Sequence, residues 1–240
     1  MLICKQGRTE KMTTAEILKD FLGQNRGRRS FPEYLVKGLL RGFGLPVPDG
    51  IFISREDFTH AIPMPPLPLE YPLVAKISSQ DISSKTDVHG VLTGLNNEGD
   101  LRNSVRDLLQ IKQAEGVLVE EMAPQGVEVI VGGTIDRQFG PVIMFGLGGV
   151  FVELFRDVAF GLAPVTGQQA ASLIRQVKGY RLLEGYRGSR PVDVNALASV
   201  IVTVSDLIAT GLITEIDLNP VAVYPSGAMV LDAKMSVQAG

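Results

Sequence analysis

Thr214-Glu215-Ile216-Asp217-Leu218-Asn219-Pro220, with Leu231-Asp232-Ala233-Lys234 after it, is the stretch from which the rest of the chain is read. Strands are predicted over 212–217, 221–224 and 228–232, with Pro225-Ser226-Gly227 as the hairpin signal between the last two. Asn219 and Asp232 then fall at the ends of neighbouring strands. Both offer hard oxygen atoms. Mg²⁺ accepts few protein oxygens and keeps positions for phosphate and water. The pair is therefore read as a magnesium clasp, which in turn points to a nucleotide.

Composition narrows the setting. The chain has 240 residues, 45% hydrophobic and 20% charged, as in a soluble globular protein of one large or two small domains. A net charge of −3 gives no general basic field, so neither nucleic acid nor an anionic membrane is expected as a partner. Cys4 is the single cysteine, which rules out an internal disulfide and favours a reducing compartment. No run reaches the roughly 18 apolar residues of a membrane span. The N-terminus lacks a secretory apolar stretch. A cytoplasmic location is expected.

Working back from the clasp, the pattern is α+β, with mixed or antiparallel sheets, flanking helices and two lobes. Thr13-Thr14-Ala15-Glu16 reads as a capping box opening a helix to about Leu22, and Ser30-Phe31-Pro32-Glu33 as a second one. The second helix carries Tyr34, Leu35, Gly38 and Leu39 on one side. Strands are predicted at Gly50–Ile53, Leu73–Ile77, Val88–Leu95, Gly116–Met122, Val127–Ile135, Pro141–Phe145 and Val158–Ala163. Asp100 is expected to cap a helix to about Gln113, Thr166 one to Lys178, and Asp193 a longer one. The last carries a core stripe of Val194, Leu197, Ile201, Val204 and Ile208.

Several residues carry candidate chemistry. Lys76 lies inside an apolar strand, where an ammonium is costly unless an anion meets it or it reaches a strand end. Residues 78–90 follow directly and are rich in hydroxyls, as a phosphate-covering loop would be, though an ordinary connection reads the same way. Glu120, Glu121 and Met122 end one strand and Glu128 lies on the next, placing carboxylates and strand-end backbone where a nucleoside could be read. Phe145-Gly146-Leu147-Gly148-Gly149 is a glycine turn lacking the full dinucleotide-binding spacing. His89 in the loop is a candidate acid/base or phosphate acceptor.

Taken in order, Lys76, Lys85-Thr86-Asp87, Phe139-Gly140-Pro141-Val142 through Gly148-Gly149, Glu153, Glu215-Ile216-Asp217-x-Asn219-Pro220 and Asp232-Ala233-Lys234 resemble a known family. It is the ATP-grasp β subunit of ADP-forming acetyl-CoA synthetase, in the nucleoside-diphosphate-forming acyl-CoA synthetase superfamily. The resemblance covers about residues 31–237. It implies an ATP-grasp fold: an N-terminal helix and linker over 1–30, then lobes of about 50–120 and 121–237 clasping a nucleotide. It implies ATP/ADP and Mg²⁺ as cofactors. Lys76 and Lys85 would meet phosphates, Glu120 to Met122 the adenine, Glu128 the ribose, and Asn219 and Asp232 the metal. Lys76, Ser84, His89, Glu153 and Arg156 are the catalytic candidates. The implied reaction interconverts acid, CoA and ATP with acyl-CoA, ADP and phosphate through acyl phosphate and phosphohistidine. The CoA-binding part and principal phosphohistidine would lie on an α subunit, making a hetero-oligomer that acts on a small carboxylic acid and CoA.

The family loop usually reads His-Lys-Thr/Ser-Asp-x-Gly-Gly-Val, whereas this chain has Ser84-Lys85-Thr86-Asp87-Val88-His89-Gly90-Val91. Serine forms a stable phosphoester and is a poor transient carrier. Three readings stay open: a subunit of the synthetase, a nucleotide-binding regulatory module or pseudo-enzyme without the relay, and a stand-alone ATP-grasp carboxylate ligase.

Overall fold

The computed structural model describes residues 12–60, 67–79, 82, 84–149 and 156–238. Its elements, in chain order, are α1 (Thr14–Gln24), β1 (Ser30–Phe31), α2 (Glu33–Gly42), β2 (Gly50–Ser54), α3 (Arg55–His60), β3 (Leu73–Ser78), β4 (Val91–Leu95) and α4 (Glu98–Gln110). Then come β5 (Gly116–Glu121), β6 (Val127–Asp136), β7 (Gly140–Leu147), β8 (Val158–Leu162), α5 (Gly167–Gln176), a 3₁₀ turn (Lys178–Leu182), α6 (Val194–Ala209), β9 (Glu215–Val223), β10 (Ala228–Val230) and β11 (Ala233–Ser236).

Two antiparallel sheets organise these elements. The smaller has the order β2-β5-β3-β4, and the larger β1-β11-β9-β6-β7-β8 with β10 also on β9. Each sheet has its own core. Leu73, Ala75, Ile77, Val117 and Val119 of the small sheet bury against Leu101, Val105 and Leu108 of α4. Val129, Val131, Ile143 and Phe145 of the large sheet bury against Leu197, Ile201, Val204 and Ile208 of α6. Gly133 lets α6 lie close, since a Cβ there would sit 3.2 Å from Ile208. Among the described residues no helix is long and apolar enough to cross a membrane.

Local chemistry explains most boundaries. Thr13 and Glu16 form the expected capping box, as do Thr166 and Gln169. Asp193 caps α6 through Ala196 N–H at 2.9 Å. Asn97, not Asp100, caps α4 by accepting Asp100 N–H at 3.0 Å, and α4 ends at Gln110 rather than Gln113. Ser30 is no cap either: it pairs with Ser236 in the sheet, and Pro32 precedes α2 without a side-chain cap. That leaves the Glu33 carboxylate free for other work. The face α2 buries is Glu33, Val36, Lys37, Leu39 and Leu40, while the Tyr34 ring stacks on Phe52 of β2 at 4.2 Å.

The clasp region departs most from expectation. β9 does not end before Asn219-Pro220 but runs through it to Val223, with a cis bond before Pro220. Its neighbour β6 absorbs the proline by a register shift between Val129 and Val131. On the other edge the predicted 228–232 strand stops at Val230 as β10, and a further strand that was not expected, β11, starts at Ala233; both pair with β9. Leu231 and Asp232 form the break, and their N–H groups turn to the Pro220 carbonyl at 2.9 and 3.4 Å. The break leaves the Leu231 carbonyl outside the ladder, where Lys37 and Lys76 donate to it, and places the Asp232 side chain on Lys85.

β4 begins at Val91, not Val88, because residues 85–90 fold back as a turn closed by Gly90 N–H on Lys85 O at 2.7 Å. Gly90 O in turn accepts Ile77 N–H at 2.7 Å, which seats the turn on β3. A Cβ at Gly90 would collide with the Ile77 side chain and the Lys85 carbonyl. Gly90→Ala is therefore expected to lower unfolding free energy by about 1–3 kcal/mol, the usual size of an overpacking change, measurable by urea denaturation.

Candidate functional site

The sheets meet around a buried cluster of six charged groups. Glu33 and Lys37 come from α2, Lys76 from β3, Lys85 from the following turn, Glu120 from β5, and Asp232 from the break between β10 and β11. Lys37 Nζ lies 2.7 Å from Glu33 Oε1 and 2.6 Å from Glu120 Oε1. Lys76 Nζ lies 2.9 Å from Glu33 Oε1 and 2.7 Å from Glu120 Oε2. Lys85 Nζ lies 2.6 Å from Glu33 Oε2 and 2.7 Å from Asp232 Oδ2. Lys37 and Lys76 also donate to the Leu231 carbonyl. Three carboxylates thus face three ammonium groups, and the cluster is neutral at pH 7.

Such groups survive burial only through one another. Burial alone would push the Glu33 carboxyl up, but the ammonium groups of Lys76, Lys37 and Lys85 overcome it and hold the carboxyl well below the usual range. Burial works against the charged form of Lys76 as well, yet Glu33, Glu120 and Asp232 keep it above the ordinary lysine value. Lys85 is raised in the same way against burial, by Glu33 and Asp232. Lys37 goes the other way, lowered by burial and by repulsion from Lys76.

Lys76, Lys85, Glu120 and Asp232 of the cluster line a cleft of about 980 Å³ between the sheets. Lys76, Ser84, Lys85, Glu120, Glu121, Met122, Glu128, Asn219 and Asp232 all line it, so the fold gathers nine of the predicted residues in one place. Asn219 and Asp232 are held together by Asn219 N–H on the Asp232 carbonyl at 3.2 Å. The far end is walled by Met122, Pro124, Gln125 and Gly126 from the β5–β6 connection. Glu128 is exposed, and its carbonyl accepts Gly148 N–H at 2.8 Å. A Cβ at Gly148 would stand 2.8 Å from that carbonyl, so the glycine turn serves a close backbone approach within the sheet.

Other assignments shift. Glu120 is 2% exposed and its side chain is committed to Lys37 and Lys76, which leaves strand-end backbone rather than this carboxylate for a base. Glu121 accepts Glu70 N–H at 2.9 Å. His89 is exposed with φ +51°, in the left-handed region, and is not among the cleft-lining residues. Arg156 is also exposed, with φ +48°, and likewise does not line the cleft. Glu153 lies outside the described residues.

Sequence reasoning passed over Glu33 and Lys37. Their spacing of four on a helix looks like an ordinary surface pair. The available signal was the polar pair beside Val36 and Leu40 on a helix facing other elements.

Comparison with known proteins places this geometry. The sequence profile of the ATP-grasp domain matches residues 23–237. The β subunit of ADP-forming acetate–CoA ligase I from Pyrococcus furiosus is 38% identical over 232 residues, covering 92% of this chain and 96% of that one. ADP-forming acetate–CoA ligase II of Archaeoglobus fulgidus is 40% identical over 205 residues, which are 85% of this chain but 30% of the longer relative. Among solved structures, acetyl-coenzyme A synthetase 1 of Ca. Korarchaeum cryptofilum, in complex with coenzyme A and Mg-AMPPCP, superposes with a TM-score of 0.76. It is 38% identical and covers 94% of this chain and 100% of that one.

The ion cluster makes a signed prediction for stability against pH. A carboxyl held below its unfolded value stabilises the fold above that value and loses the contribution as pH falls. Unfolding free energy from urea titrations should therefore fall as pH drops through about 4.5, the ordinary Glu33 value. Glu33→Gln should already lose about 3–5 kcal/mol at pH 7 by leaving ammonium groups unbalanced, and should show a shallower acid slope.

Proposed function

Since the chain belongs to the ATP-grasp family, we propose that it is the ATP-binding subunit of an ADP-forming acyl-CoA synthetase. Working with an α subunit, it would interconvert a carboxylic acid, CoA and ATP with acyl-CoA, ADP and phosphate. The observation that carries this reading is the cluster itself. Lys76 and Lys85 meet Asn219 and Asp232 on the wall of a nucleotide-sized cleft between two sheets. The relatives named as ADP-forming acetate–CoA ligases, one of them a β subunit, support the choice of reaction.

The residues present fit the implied cofactors. Asp232 and Asn219 offer oxygen atoms from adjacent backbone positions, the donor type Mg²⁺ prefers, and few enough to leave room for phosphate oxygens. Bound there, magnesium would supply positive charge to phosphate oxygens. Lys76 and Lys85 would bind phosphate from the other side. Lys37 would stay with Glu33 and Glu120 and keep those carboxylates from repelling the nucleotide. Glu121, Met122 and Glu128 border the part of the cleft left for the nucleoside. The two lobes, about 50–120 and 121–237, would close on it.

Ser84 lines the cleft where the resembling family has histidine, whereas His89 is exposed and is not among the cleft-lining residues. We infer that this chain carries no transient phosphate on its loop, and that the acceptor histidine comes entirely from the α subunit. An isolated chain should then bind ATP with Mg²⁺ without turning it over. A pseudo-enzyme would bind ATP but stay silent with the partner present. A stand-alone ligase would release ADP alone when given a carboxylate.

Incubation with γ-labelled ATP, with and without the α subunit, separates these outcomes. Acid-labile label is expected on the α subunit only, and His89→Ala should leave it unchanged. Label retained on this chain would overturn the assignment. By calorimetry, Lys76→Met should weaken ATP–Mg²⁺ binding at least about tenfold, the loss of one charge-assisted contact of roughly 1.5–3 kcal/mol.

A further inference from the structure

Lys85 has an unusual set of partners for a residue proposed to meet phosphate. Its ammonium group sits astride both oxygens of Asp232, at 2.8 and 2.7 Å, and touches Glu33 Oε2 at 2.6 Å. Asp232 is one of the two oxygen donors suited to magnesium. A metal held by that carboxylate would need the oxygen atoms that the ammonium group now occupies. Both cannot occupy the same carboxylate face.

Resting on the nucleotide-binding reading above, we propose that Lys85 is a place-holder for the metal, and that Glu33 is the positioning residue that keeps it there until nucleotide arrives. Loading is then an exchange. The metal takes Asp232, and Lys85 leaves with its turn to meet phosphate. Glu33 retains Lys37 and stays paired after Lys85 has gone.

The arrangement has the parts an exchange needs. Lys85 sits in a turn whose next two residues, Thr86 and Asp87, are exposed, so the turn has solvent to move into. It is pinned at Gly90 by the bond to Ile77, which sets a pivot on β3. Charge balance gives the device its selectivity. With three carboxylates and three ammonium groups in contact, a lone divalent cation taking Asp232 leaves Lys85 only Glu33, which Lys37 and Lys76 already share, so positive charge is left in excess. Metal arriving with nucleotide brings phosphate, which receives the ammonium. The nucleotide-free subunit should therefore bind divalent metal poorly.

The test uses Mn²⁺ as the metal, titrated onto the full chain without nucleotide and followed by electron paramagnetic resonance of free Mn²⁺. Lys85→Met is expected to bind Mn²⁺ at least about tenfold more tightly than the unaltered chain. Adding Asp232→Asn to that variant should abolish the gain. Glu33→Gln, which removes the second anion holding Lys85 in place, should also tighten Mn²⁺ binding, by less than Lys85→Met, a direction that loss of packing would not produce. If Lys85→Met does not fold, Lys85→Gln carries the same expectation. Mn²⁺ affinity within twofold of the unaltered chain in a folded Lys85 variant would overturn the proposal. ATP–Mg²⁺ binding by calorimetry is run beside it. Failure of the unaltered chain to bind ATP–Mg²⁺ sinks the nucleotide reading, whereas normal ATP–Mg²⁺ binding with unmoved Mn²⁺ affinity sinks only the exchange.

Discussion

The contact between α2 and the small sheet organises the molecule. Glu33 and Lys37 stand one turn apart on a helix whose Val36, Leu39 and Leu40 belong to the core of the large sheet. Their charges nonetheless reach Lys76 on β3 and Glu120 on β5. One helix is thus fixed apolar side to one layer and polar side to the other. Because the polar side is buried, neither layer can move away without leaving a charge unmatched, a change worth several kcal/mol. The stacked pair Tyr34–Phe52 adds an apolar brace to the same joint.

The other half of the site comes from an imperfection in the large sheet. A proline in the middle of β9 forces a register shift on one side and a break between β10 and β11 on the other. The break delivers the Leu231 carbonyl to Lys37 and Lys76 and the Asp232 carboxylate to Lys85. A regular hairpin would have kept both groups in the ladder or on a surface. The distortion and the ion cluster are therefore parts of one device, which sets Lys76 and Lys85 against Glu33, Glu120 and Asp232 in a neutral group.

Much of this was legible in the residues. Asn219, Asp232, Lys76 and the 78–90 loop each had an ordinary structural reading as well, and only their occurrence together pointed to one cleft, which all of them line, the loop through residues 84–87. The capping boxes at Thr13 and Thr166 gave helix starts correctly because the signal is local. What stayed hidden was non-local. Ser30-Phe31-Pro32-Glu33 satisfies a capping pattern, yet Ser30 is drawn into a strand by Ser236, two hundred residues away in the chain. Glu33 and Lys37 resemble a solvated pair until the partner layer is in place. The left-handed backbone at His89 is likewise something no side-chain pattern specifies.

The most direct measurement is a crystal structure of this chain with Mg²⁺ and a non-hydrolysable ATP analogue. The account predicts triphosphate in the cleft between the sheets, Lys76 and Lys85 moved from carboxylate to phosphate oxygens, metal on Asp232 and Asn219, and Lys37 still joined to Glu33 and Glu120. An analogue bound elsewhere, or bound in the cleft with Lys85 still seated on Asp232, would contradict it.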